Sequence, residues 1–209
     1  MSAESAHGHA AASGRSDLGI FSNLEANQLG VLIFVTSEAV FFLTLIVTYI
    51  SYRPQYVALR GITPQEALNV PLTSVFTVFL LSSSLTMALA TGRLGRDDLG
   101  GATRWLVTTV LFGAIFLVGQ GYEYYHMYSE QIRLGSNLWT STFFTLTGFH
   151  GFHVLLGLIA MSMTLAVVRL TPGPRPGGRA LESVSLYWHF VDAVWVVIFP
   201  TVYLWTLLP

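Results

Sequence analysis

Five long apolar segments restrict what this chain can fold into more than any other feature of its sequence. They cover approximately residues 29–50, 70–90, 105–125, 138–168 and 184–208. An α-helix rises about 1.5 Å per residue, so about 20 apolar residues cross the hydrocarbon layer of a membrane. None of the segments shows the strict alternation of apolar and polar residues that a membrane barrel strand requires. The sequence therefore predicts an all-α fold, a polytopic membrane bundle with five transmembrane helices.

The first 28 residues are polar and rich in alanine, serine and glycine. They lack a basic start followed by a short apolar core and a cleavage site, so we expect no cleaved signal peptide. His7 and His9 lie here, and two histidines in a polar tail favour solvation over metal binding. We predict a cytoplasmic polar tail over residues 1–28 and one membrane domain over residues 29–209.

Arginine sets the predicted orientation, because the chain contains no lysine. Seven arginines lie on the side of the N-terminal tail and three lie on the opposite side. The seven are Arg15, Arg93, Arg96, Arg104, Arg169, Arg175 and Arg179, and the three are Arg53, Arg60 and Arg133. Cytoplasmic loops carry the excess of positive charge in membrane proteins. The asymmetry predicts a cytoplasmic N-terminus and, after five crossings, a C-terminus outside.

Composition excludes several classes of function. The formal net charge is −1, and no basic patch or P-loop indicates a nucleic acid or another phosphate-bearing partner. The absence of cysteine excludes disulfides, iron–sulfur clusters and blue-copper sites built by this chain. An odd number of helices without an internal repeat also disfavours a secondary transporter.

A few ionisable residues lie inside the apolar segments, where each costs several kcal/mol unless it is paired or hydrated. Glu38 lies about 13 Å into the first predicted helix, near the middle of the membrane. Its role is either a hydrogen bond to a neighbouring helix or a part in proton handling or lipid-linked regulation. Glu123 lies near the outer end of the third helix among tyrosines typical of the membrane interface, which favours a structural role.

His189 and Asp192 are three residues apart on one face of the fifth predicted helix. Asp192 reaches a depth similar to that of Glu38, so the three residues could share one polar cluster. A histidine and a carboxyl group can relay protons, and they can also neutralise each other between helices. We favour mutual neutralisation.

His150 and His153 are also three residues apart on one helical face, in the sequence TGFHGFHV. A metal site needs at least a third ligand, and a haem held across a bundle needs a histidine from a second helix, which His189 could supply. Three glycines flank the pair: Gly148, Gly151 and Gly157. Small residues let helices approach closely, so the pattern favours helix packing over ligation.

Four motifs carry a resemblance to a known family. They are TSEAVFF (36–42), GQGYEY (119–124), TGFHGFHVLLG (147–157) and YWHFVDAVWVVIF (187–199). Each closely resembles a signature of subunit III of the haem–copper oxidases, and of cytochrome c oxidase above all. The second predicted helix, residues 70–90, carries no comparably distinctive motif. The chain looks like the bacterial five-helix form of the subunit, which implies a bacterial plasma (inner) membrane.

The resemblance implies roles for residues of these motifs but no catalytic residue and no metal ligand in this chain. It assigns proton-linked polar positions to Glu38, His189 and Asp192. It assigns helix packing or lipid contact to Glu123, His150, His153, Trp188 and Trp195.

The resemblance also implies a function and partners. The chain would be a non-catalytic subunit of a proton-pumping terminal oxidase, stabilising the catalytic subunit and supporting its proton uptake. Its partners would be catalytic subunit I and a copper-bearing or quinol-type subunit II, which hold the haem and copper, together with membrane lipids including bound phospholipid. Two alternatives within the family are a ubiquinol oxidase subunit and a relative associated with nitric oxide reductase. Two alternatives from other classes are a free-standing b-type cytochrome and a proton channel.

Overall fold

The computed structural model describes residues 26–52, 64–170 and 177–207. Six helices follow one another: α1 Ala26–Tyr52, α2 Pro64–Ala67, α3 Val70–Leu94, α4 Leu99–Ser129, α5 Leu138–Leu170 and α6 Gly178–Val202. A 3₁₀ turn, Leu204–Leu207, ends this part of the chain, which contains no strand. All the helices except α2 are long and apolar enough to cross a membrane, so the predicted all-α bundle with five spanning helices is confirmed.

Some predictions concern residues outside the described ranges. These residues are His7, His9, Arg15, Arg53, Arg60 and Arg175. Most of the predicted tail also lies there, but its last three residues, 26–28, belong to α1.

Two helices begin before the apolar segments that predicted them, because the start of a helix depends on a single capping residue or backbone turn that apolar content does not register. The helix expected from residue 105 begins at Leu99, where the Asp98 carboxylate accepts a hydrogen bond of 2.8 Å from the Gly101 amide. The Gly101 amide and the Arg93 guanidinium hold the pKa of Asp98 below its usual range. The helix of the last apolar segment, residues 184–208, begins at Gly178 after Gly177, whose φ of 72° suits glycine.

Helices α3, α4, α5 and α6 form a closed ring in which each packs against the next and α6 returns to α3. Neighbours in the ring run antiparallel. Thr77 and Ser83 of α3 contact Trp195 and Trp188 of α6 in reversed order along the chain. We call the end where α1, α4 and α6 begin the N-terminal end of the bundle.

Helix α1 lies outside this ring and packs against α5 and α6. Only Phe42, Ile46 and Tyr49 are buried among its described side chains. Near its far end, Tyr49 accepts a hydrogen bond of 3.3 Å from the Trp139 indole of α5. Helix α1 therefore exposes most of its apolar surface beyond the chain's own bundle.

The indole of Trp188 occupies the centre of the ring and is fully buried. Two glycines on different helices make room for it. A Cβ atom on Gly157 of α5 would lie 2.7 Å from the indole, and one on Gly113 of α4 would lie 2.8 Å from it. The ring therefore closes around Trp188 because α4 and α5 carry no side chain at these two positions.

Candidate functional site

Glu38 of α1 is paired with His153 of α5. The Glu38 Oε2 and His153 Nε2 atoms are 3.1 Å apart, and the side chains are 21% and 7% exposed. The Tyr187 hydroxyl of α6 donates a hydrogen bond of 3.0 Å to the His153 carbonyl oxygen. The pair therefore joins α1 to the ring at a point where α6 also contacts α5.

The second nitrogen of His153 limits the protonation states of this pair. His153 Nδ1 lies 2.7 Å from the Phe149 carbonyl oxygen, which can only accept, so Nδ1 carries a hydrogen. Nε2 then either accepts a hydrogen bond from a protonated Glu38 carboxyl group or, when it carries a hydrogen itself, donates a hydrogen bond to a Glu38 carboxylate. Both forms contain the same number of protons and have zero net charge, which suits a pair within spanning helices.

His150 lies in an aromatic cage and is 1% exposed. Its ring stacks on Trp195 with centroids 4.7 Å apart, and Phe116 and Phe42 meet it edge-on at 5.9 and 6.4 Å. Neither ring nitrogen has a hydrogen-bond partner in the described part of the chain. His150 and His153 therefore both lie against other helices, but only His153 makes polar contacts there.

Of the two predicted polar residues of α6, His189 contacts a serine of α3 and Asp192 is buried. The Ser84 hydroxyl is 2.6 Å from His189 Nδ1. Neither Asp192 oxygen has a hydrogen-bond partner among the described residues. Asp192 is 4% exposed and His189 is partly exposed at the surface of the bundle. Glu38 bonds His153 of α5 rather than either of these residues.

Helix α3 carries a row of hydroxyl groups that bond side chains of other helices. We call it the hydroxyl row; its members are Thr73, Thr77, Ser83, Ser84 and Thr86. Ser83 accepts from the Trp188 indole at 2.9 Å, and Thr77 accepts from the Trp195 indole at 3.0 Å. Sequence analysis missed this row, although hydroxyl residues recurring at helical spacing within an apolar segment were a usable signal.

Glu123 anchors α3, α4 and the end of α6. Its carboxyl group accepts hydrogen bonds from the Tyr203 hydroxyl at 2.7 Å, the Thr73 hydroxyl at 3.2 Å and the Gln120 amide at 3.4 Å. Glu123 is 5% exposed, whereas its neighbour Tyr122 is exposed. Its surroundings are thus a buried polar cluster rather than the aromatic interface that we expected.

The glycines beside the histidines do not all serve close packing. A Cβ atom on Gly148 or Gly151 would meet its nearest neighbour at 3.6 or 3.8 Å, which is ordinary contact. Only Gly157 of the three is tightly enclosed, and its neighbour is an indole rather than an imidazole.

The arrangement suits hydrogen bonding between helices better than ligation. In the described ranges, no group of three or more His, Asp or Glu residues could hold a metal ion. His153 uses both ring nitrogens, and His189 uses Nδ1 toward Ser84. The His150 ring stacks on Trp195 and meets Phe116 edge-on.

Known proteins resemble this chain along almost its whole length. A family profile described as cytochrome c oxidase subunit III matches residues 19–207. The cytochrome c oxidase subunit 3 of Corynebacterium diphtheriae is 38% identical over 178 residues, which are 84% of this chain and 86% of that protein. The protein of the same name from Synechocystis sp. is 39% identical over 203 residues, covering 95% and 79%. The quinol oxidase subunit 3 of Bacillus spizizenii is 37% identical over 181 residues, covering 85% and 86%.

Proposed function

The chain belongs to the cytochrome c oxidase subunit III family, and we propose that it acts in its oxidase as a non-catalytic subunit that stabilises the catalytic subunit and supports its proton uptake. As a subunit III of a haem–copper oxidase, it is a multi-pass membrane protein of an oxidoreductase complex. The finer proposal concerns what this chain contributes to that complex.

The Glu38–His153 pair is the observation that carries the proposal. It lies at the edge of the bundle, partly exposed, and it holds a shared proton without a net charge. A neighbouring subunit packed on α1 would cover a polar pair that costs little to bury. We propose that Glu38, together with His189 and Asp192, serves proton-linked functions, while Glu123, His150, His153, Trp188 and Trp195 maintain helix packing or contact lipid.

Two further features support a role without a redox centre. The intramembrane histidines are occupied by hydrogen bonds or by aromatic contacts, and the hydroxyl row holds α3 to α4 and α6 as a rigid unit. We propose that haem and copper belong to catalytic subunit I and to a copper-bearing or quinol-type subunit II. We also propose that phospholipid binds at the exposed surface of the bundle, and that no nucleic acid takes part.

We propose a bacterial plasma membrane location with the N-terminal end of the bundle in the cytoplasm. The described arginines support this orientation: Arg93, Arg96, Arg104, Arg169 and Arg179 lie at the N-terminal end, and Arg133 lies at the other. The proposed cytoplasmic tail, residues 1–28, precedes the membrane domain, residues 29–209.

Copurification tests the partner assignment. The complex is isolated from native membranes through a tag on this chain, and its subunits are identified by mass spectrometry. We expect a polytopic subunit with haem and copper ligands and a second, smaller set of peptides from subunit II. Copper ligands in subunit II would indicate cytochrome c as the electron donor, and their absence would indicate a quinol. A Soret band at stoichiometric haem content in the chain purified alone would contradict the proposal and favour a b-type cytochrome.

Turnover tests the supporting role. Glu38→Gln keeps a hydrogen-bonding group of the same size, so we expect unchanged haem spectra and nearly unchanged initial oxygen consumption in the assembled complex. Proton release per electron, or the time before inactivation, should fall. Immediate loss of oxygen reduction in a fully assembled Glu38→Gln complex would contradict a supporting role. Ser37→Ala, an exposed neighbour on α1, is the matched control.

A further inference from the structure

One ring nitrogen of His189 is open at the surface of the bundle. His189 Nδ1 lies 2.6 Å from the Ser84 hydroxyl. The other nitrogen, Nε2, has no hydrogen bond among the described residues, and it is not sealed inside the bundle. The side chain as a whole is partly exposed. His189 therefore presents Nε2 to whatever surrounds α6.

This nitrogen lies near the middle of the membrane. At 1.5 Å per residue, His189 is about 17 Å from the start of α6 at Gly178 and about 20 Å from its end at Val202. The hydrocarbon layer is about 30 Å thick. An imidazole is too short to reach water or lipid headgroups from this depth, unlike the long side chains of Lys and Arg. In hydrocarbon, its partner must come from protein.

The bond to Ser84 decides what kind of partner Nε2 needs. The only hydrogen bond of the Ser84 side chain among the described residues is the one to His189. When the hydroxyl donates its single hydrogen to Nδ1, the hydrogen of a neutral imidazole lies on Nε2. The opposite direction would leave the Ser84 hydrogen unpaired in an apolar region, which is costly. His189 thus offers an N–H donor, and the group it lacks is an acceptor.

Other polar side chains on the outer surface have partners within their own helices. The hydroxyl groups of Thr36, Thr44 and Ser162 each donate to the carbonyl oxygen four residues earlier. These hydroxyls tolerate contact with lipid, because their hydrogens are already bonded. His189 differs from them, since its own helix supplies nothing to Nε2.

The exposed residues of α6 around His189 recur at alternating steps of three and four. We call them the α6 seam: Leu186, His189, Ala193, Val196 and Pro200. Helix α1 contacts α6 elsewhere, through Tyr187 and Phe190. Steps of three and four are those along which membrane helices pack at a shallow angle. Ala193 lies one turn from His189, and its small side chain leaves room for a second backbone to approach.

We propose that the α6 seam docks a transmembrane helix of another oxidase subunit, and that this helix accepts a hydrogen bond from His189 Nε2. The acceptor is an amide, hydroxyl or carboxyl oxygen near the middle of that helix. Acyl chains of lipids offer no acceptor at this depth. A second copy of this chain, related by a two-fold axis, would present the same donor instead of an acceptor. The docking rests on the proposed function, because it places the chain in an oxidase.

Photocrosslinking of the assembled oxidase in native membranes tests which molecule covers the seam. The photoreactive amino acid benzoylphenylalanine replaces Ala193, and mass spectrometry identifies what it joins after irradiation. We expect a peptide from a transmembrane helix of another oxidase subunit. Leu111 of α4 is the matched control, because it is 56% exposed and about 18 Å from the start of its helix. Helix α4 lies across the ring from α6, so Leu111 should not join the same peptide.

Dissociation of this chain from the complex tests the hydrogen bond. The oxidase is held through a tag on a partner subunit, and release of this chain into detergent is followed over time. His189→Leu removes the donor and should speed release by about 3- to 18-fold, the range expected for hydrogen bonds between membrane helices. His189→Gln keeps an N–H donor and should release more slowly than His189→Leu. Ser84→Ala removes the internal bond but not the donor, so its effect should be smaller than that of His189→Leu.

The results separate the docking from the proposed function. Phospholipid adducts alone at Ala193, a crosslink to a second copy of this chain, or unchanged release of His189→Leu would overturn the docking. The proposed function would still stand in these cases if the catalytic subunit copurifies with the unmodified chain. Absence of every oxidase subunit from that preparation would overturn the proposed function and the docking together.

Discussion

Gly157→Ala should destabilise the bundle, because the added methyl group would lie 2.7 Å from the indole of Trp188. Gly113 of α4 also lies close to the six-membered ring of the indole, which limits how far the indole can move. Its N–H is also held by Ser83 at 2.9 Å. The clash must therefore be relieved by moving α5 or by distorting the indole, and both weaken the ring of helices.

The size of the effect is the difference between two opposing terms. Overpacking a close-packed core costs about 1–3 kcal/mol, and the clamped indole places this site near the upper end. Alanine gains about 1 kcal/mol over glycine from helix propensity. We expect a net loss of about 2 kcal/mol, equivalent to about a 30-fold smaller folding equilibrium constant.

Gly151→Ala is the matched control on the same helix. The nearest atom to its added Cβ is 3.8 Å away, so we expect no loss of stability and a gain of up to about 1 kcal/mol. Both variants are reconstituted in bicelles and unfolded with dodecyl sulfate, and tryptophan fluorescence follows the transition.

A double-mutant cycle separates the clash from other effects. Trp188→Phe removes the indole atoms that the new methyl group would meet, so the Gly157→Ala penalty should fall by at least half in that background. The four remaining tryptophans report unfolding there. Equal unfolding midpoints for Gly157→Ala and Gly151→Ala, or an undiminished penalty with Trp188→Phe, would refute the reasoning.

Three other predictions follow from the bonds and charges described above. Glu38→Gln and His153→Gln, alone and combined, should give a coupling free energy of about 0.6–1.7 kcal/mol in bicelle unfolding; a value near zero would show that the pair contributes nothing. Single cysteines introduced in loops 94–99 and 170–178 should react with a membrane-impermeant maleimide only from the cytoplasm, and outside labelling at both loops would invert the topology. Asp98→Ala should lower stability above pH 4, because a carboxyl group with a depressed folded-state pKa stabilises the fold above its unfolded pKa of about 3.8. That difference should vanish as the pH falls through the folded-state pKa, while Asp98→Asn, which keeps a capping oxygen, should lose less at neutral pH.

The membrane spans could be predicted from sequence, because the free energy of transfer into lipid is a local property of about 20 consecutive residues. Helix ends were less predictable, since they depend on single caps such as Asp98 and on the left-handed backbone of Gly177. Neither feature changes the apolar content of the segment, and so both starts were placed too late.

The pairing of polar residues could not be predicted from depth alone. Glu38, His153 and Asp192 all lie deep in the membrane, and which of them meet depends on how helices 115 residues apart in sequence are arranged. Asp192 and His189 were recognised by spacing, but Ser84, which contacts His189, was not. A single hydroxyl group adds little to the free energy of inserting a helix into lipid, so the sequence gives no signal for it until its partner is known.

The position of α1 outside the ring has a consequence for biosynthesis. Glu38 emerges from the ribosome 115 residues before His153, an interval of roughly 6–23 s at the usual rate of translation. During that time the α3–α4 hairpin can assemble, whereas α1 stays in the bilayer with its carboxyl group unpaired. Docking of α1 is thus a late event that requires α5 and α6, and a chain interrupted before α5 exposes an orphan acidic helix that membrane quality control can recognise.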